Sequence, residues 1–269
     1  MTRSGPALAP REHRRLADVL FGAAAAGRTL APLTTWYPDL TAADACRIRD
    51  LLLARRLADG EQVVGAKVSL GNAATGPGEE VLQPRFAWLT DGMLLAGGAV
   101  DVSRLARPRA EPKLAFRLDR PLRSSIPTSG EVLAATECVL PCLDILDSRF
   151  DDDGRRLADD VAENSATARL LVGDGVPPPA DGHLLRVRVH LRVDGPAAEP
   201  VGPPARGRLR VPALEAVSWL GGRLAEKSLA PGPGTLLVSH AIGSPVELAR
   251  GVRLIAHFSG LGTLQLDAV

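Results

Sequence analysis

Only three of the 32 basic residues are lysines: Lys67, Lys113 and Lys227. Every other positive charge is arginine, which keeps its proton inside a protein, whereas a buried lysine can release one. A GC-rich genome accounts for the bias by itself, yet it makes each retained lysine worth inspecting. Lys113 lies in Glu111-Pro112-Lys113-Leu114-Ala115-Phe116-Arg117-Leu118, where Leu114, Phe116 and Leu118 alternate with Lys113, Ala115 and Arg117. That alternation predicts a strand, and residues two apart on a strand share a face, so Glu111 and Lys113 point the same way. Downstream, Pro141-Cys142-Leu143-Asp144-Ile145-Leu146-Asp147-Ser148-Arg149 is a second strand-like segment, with Asp144 and Asp147 on opposite faces. An ammonium beside carboxylates can stabilise developing negative charge or take part in proton transfer. The same spacing also suits a surface salt bridge worth at most about 1 kcal/mol.

Other generic chemistry is missing. The chain has no phosphate-binding loop ending in Lys-Ser/Thr, no H-E-x-x-H and no G-x-S-x-G. Gly71 to Gly78 lacks a strand–turn–helix context and is expected to be a loop. The five histidines are isolated; His190 is expected on the solvated face of a strand and His257 as a sheet residue. Cys46, Cys138 and Cys142 are too few and scattered for a disulfide framework or a zinc site. Lys227 needs no more than a favourable place near a helix C-terminus.

Around these residues the pattern is that of an α+β chain. Residues 9–28 carry Leu16, Val19, Leu20, Ala23 and Ala24 at helical spacing, and a second helix is expected from the N-cap Thr41, with Asp44 three residues on, to Gly60. Beyond Val63 short strands take over. The clearest runs through Leu185, Val187, Val189, Leu191 and Val193, between Pro/Gly-rich loops at 174–181 and 195–207. Short helices are expected near 130–138, 155–165 and 213–228, with late strands at 235–240 and 252–258. The organisation is thus an N-terminal helical segment, 1–60, on a β-rich catalytic or binding unit, 61–269. A net charge of +1 removes any bulk electrostatic case for nucleic acid or anionic membrane. No apolar run reaches the length of a membrane helix and no secretory signal is visible, so a soluble, cytoplasmic protein is expected.

Six segments in order resemble the fumarylacetoacetate hydrolase superfamily, in particular the branch of 2-hydroxypenta-2,4-dienoate (2-keto-4-pentenoate) hydratases and 4-oxalocrotonate decarboxylases. Gly65-Ala66-Lys67-Val68-Ser69-Leu70 is similar to that family's G-x-K-x-G-L strand, and Gln83-Pro84-Arg85-Phe86-Ala87-Trp88-Leu89 to its Q-P-D-F-G-x-L. Glu111–Leu118 resembles E-x-E-I-A-x-x-L, Pro141–Arg149 resembles P-A-L-E-V-x-x-S-R, and Val161-Ala162-Glu163-Asn164-Ser165 resembles V-A-D-N-A-S. Val238-Ser239-His240-Ala241-Ile242-Gly243 resembles the late L-(S/T)-G-(A/S)-x-G turn. The resemblance implies a mixed β-roll with a helical N-terminal part, usually a homo-oligomer, acting on a small 2-oxo or enol substrate.

It also implies Mg²⁺ or Mn²⁺ held by three carboxylates, at the positions that are Glu111, Lys113 and Asp144 here. An ammonium about 4 Å from a dication costs on the order of 8 kcal/mol at an effective dielectric near 20. The expectation is therefore a lyase that works without a cofactor, with Glu111 and Asp144 the ligands if Mg²⁺ or Mn²⁺ is bound. Lys67 would position or polarise the oxo-acid group, Lys113 would stabilise oxyanion charge, and Glu111 or Asp144 would move a proton. Arg85, Asn164, Ser165, Ser239 and His240 fall at motif positions that would hold substrate or water. The altered site points to a repurposed tailoring enzyme or cyclase; an inactive member serving as a partner subunit is the other reading.

Overall fold

The computed structural model describes residues 8–76, 79–151, 154–178, 187–195, 213–227 and 231–269. Helix α1 (Pro10–Ala25) opens the chain, followed by one turn, α2 (Leu33–Trp36), and by α3 (Ala42–Ala58). The α3 N-terminus is the expected capping box: Thr41 Oγ1 accepts from the Asp44 amide while the Asp44 carboxylate receives the Thr41 amide. Asp44 also takes His13 of α1 at 2.7 Å, fastening the two helices together. Their apolar faces form a cluster of Leu16, Leu20, Leu33, Ala45 and Ile48 that also takes in Phe150 and Val161.

The rest is built on a mixed sheet ordered β2-β1-β8-β4-β5-β6, with the short β9 paired to β4. Its members are β1 (Val63–Gly76), β2 (Glu79–Thr90), β4 (Pro108–Leu118), β5 (Thr136–Asp147), β6 (Thr167–Val172), β8 (Leu236–Val238) and β9 (Val246–Glu247). The sheet curls until its ends nearly meet: Leu95, just past β2, donates to Leu170 of β6 at 2.9 Å. One face of this roll carries Leu89, Ala115, Leu140, Cys142, Leu170 and Val238; the other carries Ala66, Val68, Phe116, Leu143 and Ile145. The second face packs under α6 (Ala213–Glu226) and a four-stranded sheet of β3 (Ala99–Val100), β11 (Gly262–Ala268), β10 (Arg253–Phe258) and β7 (Val189–Asp194). This is the mixed β-roll with helices that the sequence predicts.

Several local expectations differ. Gly71 to Gly76 is not a loop but the far arm of β1, paired with β2 with one register shift between Ala74 and Gly76, because ladder hydrogen bonds override weak glycine propensity; residues 77–78 of the expected loop lie outside the described residues. The expected helix at 130–138 stops early: α4 spans Ser129–Ala134, and Thr136 already begins β5. The helix at 155–165 shortens to α5 (Leu157–Ala162). His190 is exposed on β7, opposite His257 of β10. Residues 179–186 and 196–207, within the expected strand and loops, lie outside the described residues. No helix among the described residues is long and apolar enough to cross a membrane.

Candidate active site

Strand register alone assembles the charged residues. β8 lies between β1 and β4, with Lys67 opposite Val238 and Val238 opposite Ala115. Across β4 and β5, Glu111 faces Asp144 and Lys113 faces Cys142. Period-two alternation then puts Lys67, Lys113, Glu111 and Asp144 on the concave face, among Leu140, Cys142, Leu170 and Val238. Lys67 and Lys113 reach from either side of β8 to one atom, Asp144 Oδ2, at 2.6 and 2.7 Å. Glu111 Oε2 lies 3.4 Å from the Lys113 ammonium. Lys67, Lys113 and Asp144 are buried, while Glu111, its side chain 17% exposed, marks the side nearest solvent.

The two lysines differ electrostatically although they share a carboxylate. Burial depresses both, since desolvation disfavours an ammonium. At Lys113 the pull of Asp144 and Glu111 together outweighs burial, and its pKa rises to about 12. At Lys67 burial prevails over the shared Asp144, and repulsion by Lys113 offsets a weaker pull from Glu111, so its pKa falls to about 8. Burial would raise Asp144, but the two ammoniums outweigh it and hold the group as a carboxylate. Asp144 is therefore placed to orient the lysines rather than to carry a proton. Its other oxygen, Oδ1, is buried without a hydrogen-bond partner. Burial, followed by the Asp144 charge, pushes the Cys142 thiol up, so no nucleophilic thiolate stands here.

The remaining predicted residues divide into two groups. His240, just past β8, is buried with neither ring nitrogen paired; burial and the Lys113 charge lower it to about 4, leaving a neutral imidazole. Ser165 Oγ is likewise buried and unpartnered, and two of the three nitrogens of Arg85 lack partners while the third pairs with Asp160 at 3.0 Å. Arg85 shares the Lys67 face, since Ser69 faces Arg85 and Lys67 faces Ala87. Ser239 and Asn164, in contrast, are used up in holding backbone. Ser239 Oγ accepts from the Leu114 amide and donates to the His240 carbonyl. The Asn164 amide caps the β2 edge, accepting from Trp88 N at 2.8 Å and donating to Trp88 O at 3.0 Å. Asn164, Ser165 and Ala166 all have positive φ (60, 51 and 55°), a costly run for residues with a Cβ. Hydrogen bonds from Ser165 N to Asp160 O and from Asp147 N to Ala166 O hold it in place.

Sequence reasoning assigned no role to Asp160 or Glu163. Glu163 accepts from Ser148 Oγ and the Arg149 amide, and burial pushes its pKa up to about 8. Its place in the Val161–Ser165 motif was the available signal; the distant partner Ser148 gave none.

A near-closed mixed roll with a charged cluster on its concave face defines the fumarylacetoacetate hydrolase type of fold. No family model matches the chain. The chain is 34% identical over 252 residues to 2-hydroxyhexa-2,4-dienoate hydratase of Comamonas testosteroni, covering 92% of this chain and 94% of that protein. Among solved structures, 4-oxalocrotonate decarboxylase of Pseudomonas putida G7, complexed with magnesium and adipate, superposes with a TM-score of 0.84 at 24% identity, over 98% of this chain and all of that one. Fumarylpyruvate hydrolase of Pseudomonas aeruginosa, with Mn²⁺ and pyruvate, gives a TM-score of 0.55 at 18% identity, over 76% of this chain and 88% of that one. The chain belongs to the family of 2-hydroxydienoate hydratases and 4-oxalocrotonate decarboxylases, and it shares its fold with the fumarylacetoacetate hydrolase type.

These neighbours correct the expectation of a cofactor-free site. They hold magnesium or manganese, and the decarboxylase was also solved with calcium, so a divalent cation is the family's cofactor. The donor set of this chain, as arranged, fits such an ion poorly. Lys113 stands between the two carboxylates, and both lysines already hold one Asp144 oxygen, which leaves only Oδ1 free on that carboxylate. Among the described residues no group of three His, Cys, Asp or Glu side chains could hold a metal ion.

Proposed function

We propose that the protein is a lyase of the hydratase/decarboxylase kind, acting on a small 2-oxo or 2-hydroxydienoic acid through an enolate-like intermediate. The observation that carries this reading is the convergence of Lys67 and Lys113 on Asp144 inside the roll. Names such as 2-hydroxyhexa-2,4-dienoate hydratase and 4-oxalocrotonate decarboxylase among its relatives support the substrate class.

Lys113, kept protonated by Glu111 and Asp144, is a fixed positive charge in a low-dielectric site, suited to the oxygen of a 2-oxo group as it becomes an enolate. Lys67 can give up or take a proton near neutral pH, as movement of a proton at the carbon conjugated to that oxygen requires. In a decarboxylation the electron pair of the broken C–C bond passes into the same enolate. Carbon dioxide leaves, and the carbon then takes the proton. In a hydration the dienol loses its O–H proton and gains one on carbon, and water adds to the remaining double bond. The unpaired imidazole of His240 supplies both a donor and an acceptor for the substrate or that water.

The test is ultraviolet monitoring of 2-hydroxypenta-2,4-dienoate and 4-oxalocrotonate with the purified protein, with Mg²⁺ or Mn²⁺ included because the relatives' structures contain such ions. Loss of the conjugated chromophore is expected for at least one, with turnover reduced about 10²-fold or more in Lys113→Met. Neither compound being consumed, or full activity in Lys113→Met, would sink the reading.

A further inference from the structure

A cavity beside the site is not lined by the lysines. It has a volume of about 650 Å³ and lies between α1, α3 and the convex side of the roll, where β5 ends and β6 begins. The register fixes the side: Asp144 faces Leu170, on the concave face, whereas Ile145 faces Arg169, and Ile145 belongs to the outer core. The size is that of a small-molecule site. Its apolar wall comes from Phe21 of α1, Leu53 of α3, and Trp88 and Leu95 of the roll.

The charges on this wall leave one cation over. Arg56 pairs with Glu61 at 3.0 Å, Arg149 with Asp147, and Arg104 with Asp101 at 3.7 Å. Arg169 makes no ion pair at contact distance among the described residues, although Glu61 and Asp147 attract it from farther off; its one hydrogen bond goes from Nη1 to the Ala168 carbonyl at 2.9 Å. Four of its five N–H groups are thus uncommitted within the protein. The remaining acid on the wall, Glu163, is engaged with Ser148 and the Arg149 amide. A half-buried guanidinium lining a cavity with one apolar wall and one charged wall is matched by one carboxylate on a hydrocarbon body.

We propose that this cavity is a second ligand site, separate from the reaction centre, that binds a small monocarboxylate with an apolar body and receives its carboxylate on Arg169. Burial raises Glu163 to about 8, so at neutral pH it is mostly uncharged and does not compete for the guanidinium. The site is independent of the reaction proposed inside the roll.

Sodium octanoate is a suitable probe, titrated calorimetrically into the whole chain at pH 7, with Trp88 on the cavity wall giving a parallel fluorescence signal. Binding with a Kd on the order of 0.1–1 mM is expected. Arg169→Gln should weaken octanoate about tenfold and leave 1-octanol unchanged, since only the carboxylate contact is lost. Ala24→Trp fills the cavity from the partly exposed side of α1 and should abolish both, with Arg169 intact. Lys113→Met, on the opposite face of the sheet, should alter neither. No binding up to about 10 mM, an affinity indifferent to Arg169→Gln, or loss in Lys113→Met alone would overturn the proposal.

Discussion

Replacing Glu163 by Gln should make the protein more stable, and the gain should grow with pH. The carboxyl is buried beside the left-handed turn 164–166, and its nearest cation, Arg155, is 3.8 Å away. Burial raises its pKa from 4.5 to about 8 in the folded chain. Between those values the folded state keeps a proton that the unfolded state has released, so stability falls as pH rises through that window. The slope for one such group is about 1.4 kcal/mol per pH unit. Carried over the whole window, the ordinary glutamate costs on the order of 5 kcal/mol at pH 8 relative to a side chain that never ionises. Gln keeps an oxygen to accept from Ser148 and Arg149 and forfeits only the weak attraction of Arg155, so a net gain of about 2–4 kcal/mol is expected at pH 8. Below pH 4.5, where the glutamate is protonated in both states, the two proteins should be equally stable. Urea denaturation of both at pH 4.5, 6.5 and 8 decides the matter. Parallel curves across that range, or a Gln variant weaker than wild type at pH 8, would refute the reasoning, because Glu163 would then be ionised and well solvated in the fold.

Lys67→Met should lower turnover about 10²-fold or more while leaving unfolding at pH 7 no easier than in wild type, because the variant no longer holds a second ammonium in the roll; steady-state kinetics and urea denaturation on one preparation check both halves. Asn164→Ala should cost about 2–4 kcal/mol by leaving the amide and carbonyl of Trp88 unpaired at the β2 edge, read as a fall in the urea midpoint. Gly65→Ala should fail to give native protein, or lower its stability by about 3 kcal/mol or more, since the added Cβ runs into the Leu236 carbonyl where β1 meets β8; circular dichroism and thermal melting report it.

What the sequence made legible follows the range of the interactions. The α3 cap could be read because Thr41 and Asp44 are three residues apart and satisfy each other. The shared face of Glu111 and Lys113 could be read because period-two alternation needs no distant partner. Asn164 could not be understood in the same way: its motif position suggested a substrate contact, but its partner is backbone at Trp88, fixed only when the 164–166 turn docks on the β2 edge. The end of α4 was missed because Thr136 is drawn into β5 by pairing with Leu118, a long-range contact that outweighs local helix propensity.

The asymmetry between the two lysines shows the same limit at the site itself. Composition marked both as unusual, and motif positions put both in one pocket, but neither distinguishes their charge states. The distinction comes from register. Glu111 and Lys113 are two residues apart on β4, and Glu111 faces Asp144 across β5, so Lys113 lies between two carboxylates. Lys67 arrives from β1, across β8, and meets only the Asp144 oxygen that Lys113 already holds. A one-residue slip of β4 against β5 would turn one of these strands' charged faces away from the other and dissolve the cluster. One strand pairing therefore fixes which ammonium remains a permanent charge and which can exchange a proton.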